Sequence, residues 1–367
     1  MRSITLHDVA LPLVRPFQTS FGREAEKRAF LVEVDAGDVR GWGECVASEE
    51  PRYSEEWLEG AWGAMVAFLG PSLLDGDPAI DPYGVAGRLR WVRGHRMAKA
   101  ALEAAVVDAW LRVRGVSLSS YLGGVRDRVP CGVSVGIAQS ADALLEEVEG
   151  YLRRGYRRVK LKIEPGRDVD VVRTVREAFP DTPLSVDANA AYSFEQAPTF
   201  AALDDLDLMM IEQPLGHEDL LEHARLQEKL STPICLDESI RSPGDVEVAA
   251  RLGSCRIVNI KPSRVGGLME SIRVHDAAMS AGMDLWVGGM LETGVGRAAN
   301  LALASLPGIT MPGDTSASDR YFSEDLTAPF ELDPDGTMAV PSGPGIGVEP
   351  HPDRLEACTL RRRTLTA

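Results

Sequence analysis

Arg158-Val159-Lys160-Leu161-Lys162-Ile163 alternates apolar and basic residues, and it follows a segment with helical spacing that runs from Ser140 to Gly155. In that segment Leu144, Leu145, Val148, Tyr151 and Leu152 share one face, Ser140 suits an N-cap, and Gly155 supplies the stop. Helix and strand in this order make one turn of a βα rhythm, and the rhythm continues downstream. Strands are predicted at 131–136, 158–163, 183–187, 208–212, 233–237, 256–261, 283–288 and 309–312. Eight such units suit a closed parallel barrel better than an open sheet, although the pattern alone leaves a doubly wound open sheet standing.

Chemistry-bearing residues keep phase with these strands. Lys162, Asp187, Glu212, Asp237 and Lys261 end successive strands, at steps of 25, 25, 25 and 24 residues. One βα unit per step brings all five to the C-terminal mouth of a barrel, where such folds carry active sites. Each acid taken alone reads as a helix cap or a surface charge; three in phase do not. Asp187, Glu212 and Asp237 would repel one another unless a cation lay between them, and an all-oxygen donor set favours Mg²⁺, with Mn²⁺ or another divalent ion as substitutes. Lys160 and Lys162 are two apart on one strand and share its inward side. Crowded ammonium groups beside a divalent ion predict a lysine pKa pulled below the ordinary ~10.4, toward the range of a general base. Lys261 arrives from the far side of the barrel. Arg264 follows it and either assists in the same way or forms a surface salt bridge. Asn189 and Glu238 are expected to orient the ligands or hydrogen-bond a lysine. None of the six histidines ends a strand near this cluster, and no serine-hydrolase elbow or phosphate-binding loop is present.

Residues up to about Val125 follow another pattern. Ile4 to Val14 and Phe30 to Asp35 read as strands, the second turning into Gly41-Trp42-Gly43-Glu44, and Glu55 to Leu69 and Arg96 to Val113 read as helices. The full chain of 367 residues carries 39 basic and 55 acidic side chains, a formal charge of -16. Such a surface repels phosphate backbones and anionic lipid, so nucleic acid and membrane are not expected partners. Arg361-Arg362-Arg363 is the one basic cluster, read as a solvated tail. Five dispersed cysteines with no Cys-x-x-Cys pair, and no signal-like or membrane-length apolar run, predict a cytoplasmic protein with reduced thiols.

Lys160-Leu161-Lys162, Asp187-Ala188-Asn189, Ile211-Glu212-Gln213-Pro214, Leu236-Asp237-Glu238-Ser239 and Asn259-Ile260-Lys261-Pro262 together resemble the enolase superfamily, over nearly the whole length. The resemblance is to its muconate-lactonizing-like branch with two catalytic lysines. Gly288 to Gly294 and Gly313 to Arg320, with the early loop Pro16 to Gly22, are similar to the group of o-succinylbenzoate synthases and N-acylamino acid (N-succinylamino acid) racemases. This implies a (β/α)7β TIM-like barrel at 126–325 and an α+β capping domain at 1–125, completed by the returning segment 326–367. It also implies Asp187, Glu212 and Asp237 as metal ligands, Lys162 and Lys261 flanking the substrate carbon, and Lys160 steadying an enediolate. Ser134, Phe17, Phe21, Tyr53, Gly289, Met290 and Leu291 are the expected substrate contacts. Ser48 to Tyr53 is more charged than the apolar contact such racemases make there. The expected partner is a small-molecule carboxylate, and the expected assembly a homo-oligomer. Racemisation of N-acylamino acids is the first expectation and o-succinylbenzoate synthesis the second. Dipeptide epimerisation through Asp314 and Asp319, muconate cycloisomerisation and a catalytically silent binding protein follow.

Overall fold

The computed structural model describes residues 1–75 and 81–366. Seven parallel strands form one curled sheet in sequence order: Val133–Val135, Val159–Lys162, Leu184–Asp187, Ile211–Glu212, Ile234–Leu236, Ile257–Ile260 and Asp284–Val287. Helices between them cover the outer face, and the strand residues are buried on both sides, as a parallel sheet requires. The strand expected at 309–312 does not form. Instead the chain closes the wall two residues later: Gly132 N–H donates to Gly313 O (2.7 Å), and Asp314 N–H donates to Val287 O (3.1 Å). The cause is local. Pro312 has no N–H to give a ladder, so pairing begins only at Gly313, which bridges to Cys131. The result is a barrel of seven strands closed by a short eighth element, matching the expected architecture.

A separate antiparallel sheet of four strands lies over the barrel, with Thr359–Thr366 at one edge, then Ser3–Thr19, Gly22–Asp35 and Arg40–Cys45. Both long strands exceed their predicted lengths, and the first breaks pairing between Pro12 and Phe17 before resuming. The predicted turn after Asp35 leads into Gly41 to Glu44, which belongs to the strand Arg40–Cys45. Its glycines let the 19-residue helix Arg96–Arg114 lie directly on it, since a Cβ at Gly41 would collide with the Ala105 carbonyl and Ala109, and one at Gly43 with the Ala101 carbonyl. The helix expected at 55–69 starts at Leu58, widens into a π turn at Met65–Leu69 and continues through Gly70–Leu74. Pro71 lies within this run; its missing N–H and its ring disrupt regular i to i+4 bonding, and the wide turn absorbs the mismatch.

Arg361-Arg362-Arg363 is not a free tail. It pairs with His7 and its neighbours in the edge strand, and the Arg361 guanidinium meets Asp8 at 2.8 Å and the Trp62 ring at 4.1 Å. All five cysteines are free and buried. Among the described residues no helix is long and apolar enough to cross a membrane.

Candidate active site

The barrel strands deliver their polar ends to one place. Lys162 ends the second strand, Asp187 the third and Glu212 the fourth, while Asp237 directly follows the fifth and Lys261 the sixth. In an eight-position ring the second and sixth places face one another, so the lysines stand on opposite sides with the three acids along one arc between them. Asp187, Glu212 and Asp237 are at most 1% exposed.

Each acid is closed on a cation. Lys162 Nζ donates to Asp187 Oδ2 (2.6 Å) and Asn189 Oδ1 (2.7 Å), and Asn189 Nδ2 donates to Glu238 Oε1 (3.1 Å). Lys261 Nζ donates to Asp237 Oδ2 (2.7 Å) and to the Tyr53 hydroxyl (3.2 Å), which itself donates to Asp237 Oδ1 (2.9 Å). Lys160 Nζ reaches Glu212 (2.8 Å), Asp187 (3.2 Å) and Asp314 (2.5 Å), and lies 4.8 Å from the centre of the Trp286 ring.

With the acids turned onto the lysines, two of the ammonium groups are held charged. Burial disfavours the Lys160 charge, but Asp314, Glu212 and Asp187 outweigh it and hold the ammonium well above its usual range. Lys261 is likewise raised: burial opposes its charge, and Asp237 outweighs burial. Glu212 is pushed up to about 7 by burial and by the neighbouring Asp187 charge, against the pull of Lys160. Glu238 rises to about 8 through burial and the charges of Asp237 and Asp187. Asp187 and Asp237 stay low, because their lysines overcome the cost of burial. Arg264 is not on the surface, and its ion pair, with Asp237, is buried. Only 4% exposed, it donates to Asp237, to Ile240 O (2.7 Å) and to Asn259 O.

Among the described residues, no three acids, histidines or cysteines stand close enough to enclose a metal ion as they are oriented. The donor chemistry nevertheless fits a divalent cation: three buried carboxylates on adjacent strand ends, one of them raised by burial and then by like-charge crowding that a cation relieves. Coordination requires the acids to turn from their ammonium partners.

Above the acids lies a cavity of about 380 Å³ at the junction of sheet and barrel. Phe17, Phe21, Tyr53, Gly289, Met290 and Leu291 line it together with Lys162, Asn189 and Lys261. Ser134 is not on its wall; it sits buried beside Lys160 in the sheet, with a hydroxyl that has no hydrogen-bond partner. Asn189, Ala190, Gln213 and Leu291 all have positive φ (45°, 60°, 37° and 56°). Asn189 and Leu291 line the cavity, and Ala190 and Gln213 directly follow Asn189 and Glu212, so the left-handed backbone gathers at the site.

Several participants escaped sequence reading. Arg158 is fully buried, pairs with Asp314 and lies 4.4 Å from the Trp286 ring centre. It precedes Lys160 by two, so strand alternation was the available signal. Asn259 Nδ2 holds Glu212 Oε1 at 2.7 Å, and Gln213 Nε2 holds the Ser239 hydroxyl at 2.7 Å. Both belong to motifs quoted above without a role. The acids considered for binding a substrate ammonium are committed elsewhere: Asp314 to Arg158 and Lys160, and Asp319, on the outside, to Arg154 at 2.6 Å.

Residues 1–123 match the mandelate racemase / muconate lactonizing enzyme N-terminal domain, and residues 143–354 match the enolase C-terminal domain-like family. An N-succinylamino acid racemase from Amycolatopsis is 51% identical over 99% of this chain and 98% of its own length. An o-succinylbenzoate synthase from Geobacillus kaustophilus is 48% identical, again over 99% and 98%. The crystal structure of an enolase-superfamily member from Listeria innocua superposes with a TM-score of 0.94 at 40% identity, covering 100% of this chain and 98% of that one.

Proposed function

Because the chain belongs to the mandelate racemase / muconate lactonizing enzyme family of the enolase superfamily, we propose that it removes the proton α to a substrate carboxylate, acting as an N-succinylamino acid racemase. The observation that carries this reading is the pair Lys162 and Lys261, which line one cavity from opposite sides. A base on each face of a carbon is what inversion demands.

Asp187, Glu212 and Asp237 would hold a divalent cation such as Mg²⁺, which would supply Lewis-acid charge to the substrate carboxylate. The chain does the rest. One lysine takes the α-proton as the C–H electron pair moves toward the carboxylate. The opposite ammonium returns a proton to the other face, and configuration inverts. Lys160, buried and anchored to Asp314, faces the negative charge that develops. Asn189 and Glu238 steady Lys162, Arg264 steadies Asp237, and Phe17, Phe21, Tyr53 and Gly289 to Leu291 exclude water around the substrate. Ser134 offers its free hydroxyl beside Lys160.

A second reading, o-succinylbenzoate synthesis, is favoured by the 48% identical relative that bears that name. There the same proton loss is followed by departure of a β-hydroxyl as water, with a lysine giving the proton. Dipeptide epimerisation loses its support with Asp314 and Asp319 committed. The five buried free thiols suit a reducing, cytoplasmic setting.

The test is to incubate the protein and Mg²⁺ with N-succinyl-L-phenylalanine in D₂O, following deuterium at the α-carbon and optical rotation. Exchange with loss of rotation, abolished by chelation, is expected. Absent exchange, with rapid dehydration of the hydroxycyclohexadiene precursor of o-succinylbenzoate, would reverse the order of the two readings.

A further inference from the structure

The substrate cavity is lined by six cationic side chains: Arg23, Lys27, Arg28, Arg52, Lys162 and Lys261. Lys162 and Lys261 are held by Asp187 and Asp237, Arg28 by Asp8 (2.7 Å) and Glu49 (3.3 Å), and Arg52 by Glu50 and the Phe21 carbonyl. Arg23 is solvent-exposed. Lys27 differs from all of them. It is 3% exposed, yet among the described residues its side chain makes no hydrogen bond and has no acid within ion-pair distance. It lies on the strand Gly22–Asp35, on the face it shares with Ala29 and Leu31, which pack toward the barrel beside Leu291 and Val295. A buried ammonium is costly unless an anion meets it, and Lys27 lines the cavity.

We propose that Lys27 is the specificity residue for a second carboxylate on the substrate, the far end of a succinyl chain. This deepens the function proposed above and rests on it. One carboxylate of the substrate is assigned to the metal-ligand end of the cavity, between Lys162 and Lys261. Lys27 enters the lining from the capping sheet, not from the barrel. A substrate that fills both places must carry two anionic groups joined by a spacer. The two activities named for the half-identical relatives share that feature: N-succinylamino acids and the precursor of o-succinylbenzoate each bear a succinyl chain ending in a free carboxylate. A common grip on this chain explains how one cavity serves both reactions.

The experiment compares N-succinyl- with N-butanoyl-L-phenylalanine, which has the same chain length but no terminal charge, in the full-length protein and in Lys27→Met and Lys27→Arg. For Lys27→Met, kcat/KM on the succinyl substrate is expected to fall about 100-fold, mostly through KM, the order seen when one partner of a buried charge pair is removed. The butanoyl substrate should be turned over unchanged, which also reports intact folding. Lys27→Arg should recover most of the succinyl activity. Equal losses on both substrates, or no loss on the succinyl one, overturn the role of Lys27 while leaving the racemase reading in place. Should the unmodified protein exchange the α-proton of neither substrate, the racemase reading fails and takes this proposal with it.

Discussion

Lys162 and Lys261 reach the same cavity from facing strands, and each should serve one enantiomer. Replacing either by alanine is expected to cut racemisation by at least ~10³-fold, the scale of a lost general base or acid. The two variants should differ in α-deuterium exchange, measured by proton NMR in D₂O: each keeps exchange only for the enantiomer whose proton faces the remaining lysine. Gly288 makes a subtler test. A Cβ there would lie 2.6 Å from Lys261 Cε, so Gly288→Ala displaces the lysine stem. We expect kcat to fall at least about tenfold, by the sensitivity of catalysis to small misplacement, with thermal unfolding lowered only modestly. These residues were open to sequence reading in different degrees. Lys162, Asp187, Glu212, Asp237 and Lys261 announced themselves because one βα unit has a nearly constant length. Asp314 was legible as an acid but not as the anchor of Lys160, because its partners Arg158 and Lys160 lie more than 150 residues earlier and the contact exists only once the barrel closes.

Two elements show how the capping part governs the barrel's helices. Glu103, on the helix Arg96–Arg114, accepts the backbone N–H groups of Leu268 and Met269 at the start of the helix Leu268–Ser280. Burial raises this carboxyl to about 8, against the pull of those N–H groups. With the folded pKa above the unfolded one, the fold binds the extra proton between about pH 4.5 and 8. Stability from this group is therefore present in acid, is lost as pH rises through that window, and levels off above it. Glu103→Gln should remove that slope, and thermal unfolding will find the variant gaining on the parent between pH 5 and 9. At the strand Arg40–Cys45, Gly43→Ala forces a methyl into the Ala101 carbonyl, and overpacking of about 1–3 kcal/mol is expected from denaturant unfolding. Element type was legible wherever period or composition was clear, as in Arg96–Arg114. Boundaries failed where tertiary contact decides: no local signal says that Gly41 to Glu44 pairs with residues 31 to 34, or that the opening strand resumes at Phe17 beyond two prolines.

Across the whole molecule, cap and barrel are joined by more than the chain. Glu44 of the capping sheet accepts Thr293 N–H (2.9 Å), the Thr293 hydroxyl (2.7 Å) and Gly296 N–H (2.8 Å), closing the N-terminus of the barrel helix Gly294–Ala304. The last strand, Thr359–Thr366, returns to pair with the first. Calorimetry is therefore expected to show one unfolding transition for both parts, and Glu44→Ala should lower its midpoint at a cost of about 1–3 kcal/mol without splitting it. The barrel's circumference, by contrast, is uneven. Where other staves are joined by regular ladders, the wall between Val287 and Cys131 is stitched by a few bonds at Gly313 and Asp314. In deuterated solvent these amides should exchange ahead of those in the other staves, and a probe of breathing there watches the fastening of Lys160 itself, since Asp314 is both stitch and clasp.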